Sequence, residues 1–307
     1  MPRHRIRRSA LSASVTAAVL LAGSAAGGAY LAGRSPDHAP AAVASVSSVS
    51  PAATAPVTEP TSEEPAVDLD AELAGAVEPL LAGADGAAVS VAVLDSGSGA
   101  RAVYGGADAA YETASIVKVD ILAALLLRAQ DEERELTAGE RGHAVTMIEN
   151  SDNDSATALL AAVGGAAGLD AANERLGLTS TTAAHAWGLT RTTAADQLTL
   201  LEAVFGTDAG TALSADSRTY LRGLMERVEA DQQWGVSAAG SGWALKNGWM
   251  PRTATGLWNI NSIGRVTAGG HTYLVAVLSG GQRTEESGIA LVESAARAAV
   301  GVLSAAD

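Results

Sequence analysis

The sequence contains no cysteine. That excludes together a disulfide scaffold, a thiolate metal site, a cysteine nucleophile and a cysteine-borne lipid. Aromatic residues make up only 4% of the 307 positions, so a core has to be assembled from the Ala, Leu and Val that dominate a 48% hydrophobic content. Positive charge is scarce as well, with 20 basic against 34 acidic side chains and a net charge of -14. Such a chain lacks the clustered Lys and Arg that neutralise phosphates, which argues against a nucleic-acid partner. Lysine is the scarcest charged residue. Of the 20 basic residues 18 are Arg, and only Lys118 and Lys246 are Lys. Arg keeps its proton in a protein, whereas a buried Lys can release it. Codon bias is the plain explanation, but the surroundings of both lysines oppose it.

Residues 1–8 hold Arg3, Arg5, Arg7 and Arg8 with no acid, and residues 9–33 carry no charge at all. A basic head before an apolar run is the pattern of a secretory signal or a signal anchor. The run is long enough to span a bilayer but rich in Ala, Gly and Ser. Small-residue cleavage points occur at Ala22-Gly23-Ser24 and Ala39-Pro40-Ala41. Cleavage and retention therefore both fit residues 1–33. Arg7-Arg8 is a faint twin-arginine signal. Residues 34–66 form a Pro/Ala/Ser/Thr-rich linker holding six of the nine prolines, with no helical or strand period. If extended it reaches on the order of 90 Å, a tether below an anchor or a tail without one. The expectation is an exported protein, secreted or held on the outer face of the cytoplasmic membrane, touching membrane only through its N-terminal segment. Without residues 1–42 the chain carries 15 basic and 33 acidic residues, net -18.

The folded part is expected over residues 67–307. A helix is predicted from Leu69 to Leu81, a strand over Ala88–Leu94, a turn at Asp95–Gly99 and a second strand near Ala102–Tyr104. Helical periods run from Ser115 to about Ala230, with Ile116, Val119, Leu122 and Leu125-Leu126 marking a buried stripe. Strands return at Ser241–Trp249, Leu257–Val266 and Thr272–Leu278, and a helix over Ile289–Val302 closes the chain. This order predicts an α/β (α+β) fold: a five-stranded antiparallel sheet flanked by helices, with the middle helices forming a lobe.

Three polar motifs stand on this framework. Ser115-Ile116-Val117-Lys118 begins the first long helix, where i and i+3 share a face. A neutral Lys amine there can take the Ser proton, and the helix N-terminus aims backbone N–H groups at an oxyanion. Ser151-Asp152-Asn153 precedes another helical run and, standing alone, reads as an Asx-type cap. Lys246-Asn247-Gly248 lies on a late strand, where a strand-end turn is the simple reading. In this order the three motifs resemble the active site of the penicillin-recognising serine enzymes, the class A β-lactamases and related D-Ala-D-Ala carboxypeptidases and transpeptidases. The resemblance extends over roughly Leu69 to Val302. Leu136–Glu140 resembles the class A approach to the Ser-Asp-Asn loop, and Thr192–Asp196 the helix start after the omega loop.

The resemblance implies that Ser115 is the acylated nucleophile, Lys118 its activating partner and Ser151 the proton relay to the leaving nitrogen. It implies that Asn153 binds the substrate amide, Asp152 holds its loop, and Lys246 faces the substrate carboxylate and tunes Ser151. Asn247, Gly248 and Trp249 line the substrate strand, with the Ser115 and Trp249 N–H groups as the oxyanion hole. The implied substrates are β-lactams or peptidoglycan-like peptides, bound by a monomer with no metal or organic cofactor.

The chain departs from the pattern in two places. The segment over residues 178–192 contains no Glu or Asp, whereas class A enzymes carry a Glu there to activate the deacylating water. His185 is its only titratable candidate base, with a surface role the simpler reading; Glu112 and Glu149 lie near the motifs in sequence but outside that segment. Second, Asn247 replaces the usual Thr or Ser after the strand lysine. Trp249, with Trp243 and Trp258 nearby in sequence, narrows the groove or packs. Arg252 and Arg265 are candidates for binding a carboxylate. Slow deacylation follows from the first departure. A noncatalytic cell-envelope binding module retaining the fold is the alternative.

Overall fold

The computed structural model describes residues 67–84, 86–106, 109–207 and 210–306. The expectations for residues 1–33 and 34–66 lie outside the described residues. The chain divides into two units, Met1–Ser62 and Glu63–Asp307, and every described residue belongs to the second.

In chain order the elements are α1 (Leu69–Leu81), β1 (Ala88–Asp95), β2 (Arg101–Tyr104), β3 (Tyr111–Glu112), α2 (Val117–Asp131), α3 (Ala138–Glu149), α4 (Asn153–Ala162) and α5 (Gly165–Leu176). There follow β4 (Arg191–Thr192), α6 (Ala194–Phe205), α7 (Ala215–Met225), β5 (Ser241–Pro251), β6 (Trp258–Ala268), β7 (His271–Gln282) and α8 (Glu285–Ala306). Five strands form the expected antiparallel sheet, in the order β2-β1-β7-β6-β5.

Side chains alternate across a strand, and here both alternating sets are apolar. Along β7, Tyr273, Val275 and Val277 join a core with Leu73 and Val77 of α1 and Val292, Ala295 and Ala299 of α8. Leu274, Ala276 and Leu278 point the other way and join Leu122, Leu125, Leu198 and Leu201 of the helical lobe. The sheet is thus the middle layer of three, which is why its central strands read as nearly unbroken apolar runs. Each fully buried Val or Leu contributes about 1.5–3 kcal/mol, and among the described residues Tyr273 is the one aromatic that is fully buried. The core is built from small aliphatics, as the composition requires.

Two features depart from the periodic reading. α2 is not buried along a stripe: every residue from Val117 to Leu127 is buried, because it runs through the lobe with neighbours on all sides. The helical stretch after Ser115 is also interrupted by β4, which pairs with β3 through Tyr111–Thr192 and Glu112–Arg191. A two-residue strand has no period to detect. Local chemistry fixes the helix starts near the site. Thr137 and Glu140 form a reciprocal capping box on α3, and the Thr193 side chain accepts from Asp196 N at 3.1 Å to start α6.

Candidate active site

Ser115 is the middle residue of a 3-10 turn, Ala114–Ile116, that runs straight into α2. The turn is held under strain. Ala114 has φ +46°, a region that costs an L-residue about 1–2 kcal/mol and persists only where the surroundings impose it. Thr113 N donates to Thr190 O at 2.8 Å, just before β4. From β6, Asn261 Nδ2 donates to Glu112 O at 2.9 Å and Thr113 O at 3.0 Å. From β5, the Gly248 backbone presses directly on the turn: a Cβ at Gly248 would lie 2.6 Å from Thr113 O and 2.7 Å from Ser115 N. Only glycine permits that approach, which packs β5 at Gly248 against the Ser115 amide.

Ser151 sits at the end of the α3–α4 connection, also in the left-handed region at φ +56°. The next residue, Asp152, caps α4 by accepting from Ser155 N at 2.7 Å. The Ser155 hydroxyl, and after it that backbone hydrogen bond, hold the Asp152 carboxyl below its ordinary value. So the simple reading of the motif as a helix cap is also true: the cap fixes the loop that carries Ser151.

Both lysines converge on Ser151. Lys118 Nζ donates to Ser151 Oγ at 3.1 Å, to Ser151 O at 2.6 Å and to Asn153 Oδ1 at 2.9 Å. Lys246 Nζ donates to the same Ser151 Oγ at 3.0 Å, to Asn247 O at 3.1 Å and to Gln232 Oε1 at 3.4 Å. A hydroxyl has two acceptor lone pairs and one proton. With each lone pair facing an amine, the Ser151 O–H is left to donate elsewhere. Both lysines are fully buried. Burial lowers Lys118 to about 8 against the opposing charge of Asp152. It drives Lys246 well down, helped by the charge of Lys118. Burial thus makes each ammonium costly and its proton easier to release, a release the Arg residues elsewhere cannot make. In the geometry described each amine donates three hydrogen bonds, as an ammonium does.

Indoles lie over both amines. The Trp187 ring centroid is 4.8 Å from Lys118 Nζ, and that of Trp249 is 6.0 Å from Lys246 Nζ. Trp249 in turn meets Trp234 edge-on at 5.9 Å. Trp249, Trp243 and Trp258 all pack against the sheet core from partly buried positions.

The sequence-predicted residues are not used alike. Lys118, Ser151, Asn153 and Lys246 are joined by hydrogen bonds, the Trp249 ring lies near Lys246 Nζ, and the Gly248 backbone meets the turn that carries Ser115. Asn247 is adjacent but differently employed: its Nδ2 donates to Gln232 O at 2.8 Å and Trp234 O at 3.0 Å. Both amide hydrogens thus clamp the loop before β5 and are not free for a carboxylate, and its Oδ1 is buried without a partner. Arg252 pairs with Glu112 at 2.7 Å, and Arg265 with Glu226 at 3.1 Å. Glu149 pairs with Arg227 at 2.8 Å, and His185 is exposed. Sequence reasoning missed Trp187, Gln232 and Asn261. None of these leaves a local signal in the sequence: Asn261 lies on a strand that also carries Asn259, Ser262, Arg265 and Thr267.

The family model for the beta-lactamase enzyme family matches residues 142–303, more than half of the chain. The chain belongs to the beta-lactamase enzyme family. The matched segment includes Ser151, Asn153 and Lys246, while the Ser115 turn precedes it. Among solved structures of this fold, a class A beta-lactamase from Bacteroides cellulosilyticus aligns with TM-score 0.66 at 18% identity, over 77% of this chain and 99% of that one. A beta-lactamase from Xanthomonas campestris pv. campestris aligns with TM-score 0.63 at 20% identity, over 77% and 99%. PBP-A aligns with TM-score 0.65 at 21% identity, over 76% and 96%. No curated protein matches. Family and fold together support an enzyme of the serine hydrolase type.

Proposed function

We propose that the protein is an exported serine acyl-enzyme. Ser115 is acylated by β-lactams or peptidoglycan-like peptides, and the ester it forms is hydrolysed slowly. The observation that carries this reading is the convergence of two buried, pKa-lowered lysines on Ser151 Oγ. Lys118, in its neutral form, takes the proton from Ser115 Oγ as Oγ bonds to the substrate carbonyl carbon. The oxyanion that develops is met by the Ser115 and Trp249 N–H groups. As the C–N bond breaks, Ser151 gives its hydroxyl proton to the departing nitrogen and Lys118 restores it. The Asn153 amide, held through its Oδ1, has Nδ2 to offer the substrate.

Deacylation is another matter. General-base assistance is worth roughly a hundred- to ten-thousand-fold, and residues 178–192 bring no carboxylate to the site. Glu112 and Glu149 are tied into ion pairs. A variant of PBP-A is described as an acyl-enzyme complex with penicillin G, which supports the β-lactam class for a protein of this fold. Export rests on the basic head and uncharged run of residues 1–33. The noncatalytic binding module is disfavoured, since two buried amines on one hydroxyl carry a desolvation cost that binding alone does not require.

The test is intact-mass analysis of residues 67–307 incubated with a penicillin, beside Ser115→Ala. A persistent adduct absent from the variant is expected. Rapid return to native mass with the penicillin consumed contradicts slow deacylation, and no adduct across varied β-lactams favours the binding module.

A further inference from the structure

Lys118 is completely inaccessible to solvent although it belongs to a site that has to admit a substrate. Its hydrogen bonds run toward Ser151 and Asn153. On another side lies the Trp187 ring, 4.8 Å from Nζ. The ring is fixed in place: its Nε1 donates to Thr157 Oγ1 on α4 at 3.2 Å, and Trp187 O accepts from Thr190 N at 3.0 Å. The neighbouring Gly188 stacks against the nucleophile turn, its Cβ position 3.8 Å from Ala114 Cα and 4.0 Å from Met250 Sδ. This loop therefore offers the amine an aromatic face and no carboxylate.

We propose that Trp187 is a positioning residue that seals Lys118 from water and thereby keeps its amine able to serve as a base near neutral pH. An indole face attracts an ammonium but cannot hydrate it. Replacing the ring by water therefore favours the charged form, because rehydration outweighs the lost ring contact at a site where burial is the largest influence. The ionisable groups around the amine are few. Asp152 on the α3–α4 connection favours the ammonium, Lys246 on β5 is itself pushed down by the charge of Lys118, and Asp120 lies two positions on in α2 beside Asn173. The loop's own His185 is exposed.

The role of Lys118 as the base rests on the proposed function, but the shield can be tested without it. With only two lysines in the chain, lysine labelled with 13C at Cε gives two side-chain signals, assigned through Lys246→Met. In the full folded protein the Lys118 signal is followed through pH. Trp187→Ala is expected to move its titration upward by about one unit or more, and Trp187→Phe to leave it nearly in place. Thr157→Val, at an exposed position, removes the ring's hydrogen-bond partner and with it the bond that Thr157 Oγ1 donates to Asn153 O at 3.0 Å within α4. It leaves the ring itself in the protein, so it remains informative if the alanine variant fails to fold, and an upward shift of smaller size is expected. An unchanged Lys118 titration in folded Trp187→Ala, or in Thr157→Val if the alanine variant does not fold, overturns the proposal. The pH midpoint of Ser115 acylation should move with the NMR titration. If penicillin leaves no adduct on the wild-type protein, the proposed function fails while the NMR result still decides the shield.

Discussion

Gly248→Ala is the sharpest perturbation the site offers. The added Cβ would meet Thr113 O at 2.6 Å, Ser115 N at 2.7 Å and Ile116 N at 2.9 Å, where ordinary contact begins at 3.4 Å. All three atoms are backbone, and Asn261 and Thr190 pin the turn that carries them. β5 has to retreat by about 0.5–0.8 Å. An oxyanion hydrogen bond of about 2.9 Å from Trp249 N then lengthens to roughly 3.5 Å and is effectively lost. Losing one such donor costs about a hundred- to a thousandfold in rate, or about 2.7–4 kcal/mol of transition-state stabilisation. Overpacking adds a stability loss of about 1–3 kcal/mol. The assay is single-turnover acylation of Ser115 by a chromogenic penicillin, with urea unfolding measured in parallel. Gly75→Ala serves as the control, since a Cβ there meets nothing within 4 Å and alanine favours a helix interior by about 1 kcal/mol. If Gly248→Ala acylates at the wild-type rate with unchanged stability, the close approach of β5 to the nucleophile turn is wrong, and the oxyanion assignment with it.

Other outcomes follow from the same geometry. Acylation should rise with pH through about 8 and level off above, as Lys118 loses its proton; a flat profile between pH 6 and 9 in pre-steady-state kinetics removes Lys118 as the base. Asp120 is buried, and burial raises its carboxyl to about 8. Because the folded value lies above the unfolded one, its contribution to stability is complete below about pH 4 and is lost as pH rises toward 8. Asp120→Asn should therefore be more stable than wild type at pH 8–9 and gain nothing at pH 4, read from urea midpoints at each pH. Asn247→Ala strips donors from Gln232 O and Trp234 O and should destabilise by about 1–3 kcal/mol. A thermal melt checks this, and an unchanged melting temperature rules out the clamp.

The three polar motifs could be located because each has a fixed local context: a serine one turn before a lysine, a capped helix start, a strand lysine two places before a glycine. The sheet was legible because its central strands are short, nearly unbroken apolar runs bounded by turn residues. What escaped was long-range and side-chain-specific. Nothing local indicates that Asn261 would reach across to Thr113 O or that Gln232 would meet Lys246. Asn247 looked like a substrate donor because position suggests it, whereas its side chain found two backbone carbonyls first. Trp187 lay within a segment read for its missing acid, so the ring that lies over Lys118 went unremarked.

The two lysines bear on one matter beyond catalysis. β-Lactams and other strained acylating agents attack protein amines indiscriminately when amines are exposed. Among the described residues the surface offers guanidinium groups, which do not acylate under such conditions, and both side-chain amines are enclosed. A protein that meets such electrophiles outside the cell would therefore accumulate little collateral damage. Under the proposed acylation of Ser115, a covalent label on the folded part would report on that serine rather than on a scatter of modified lysines.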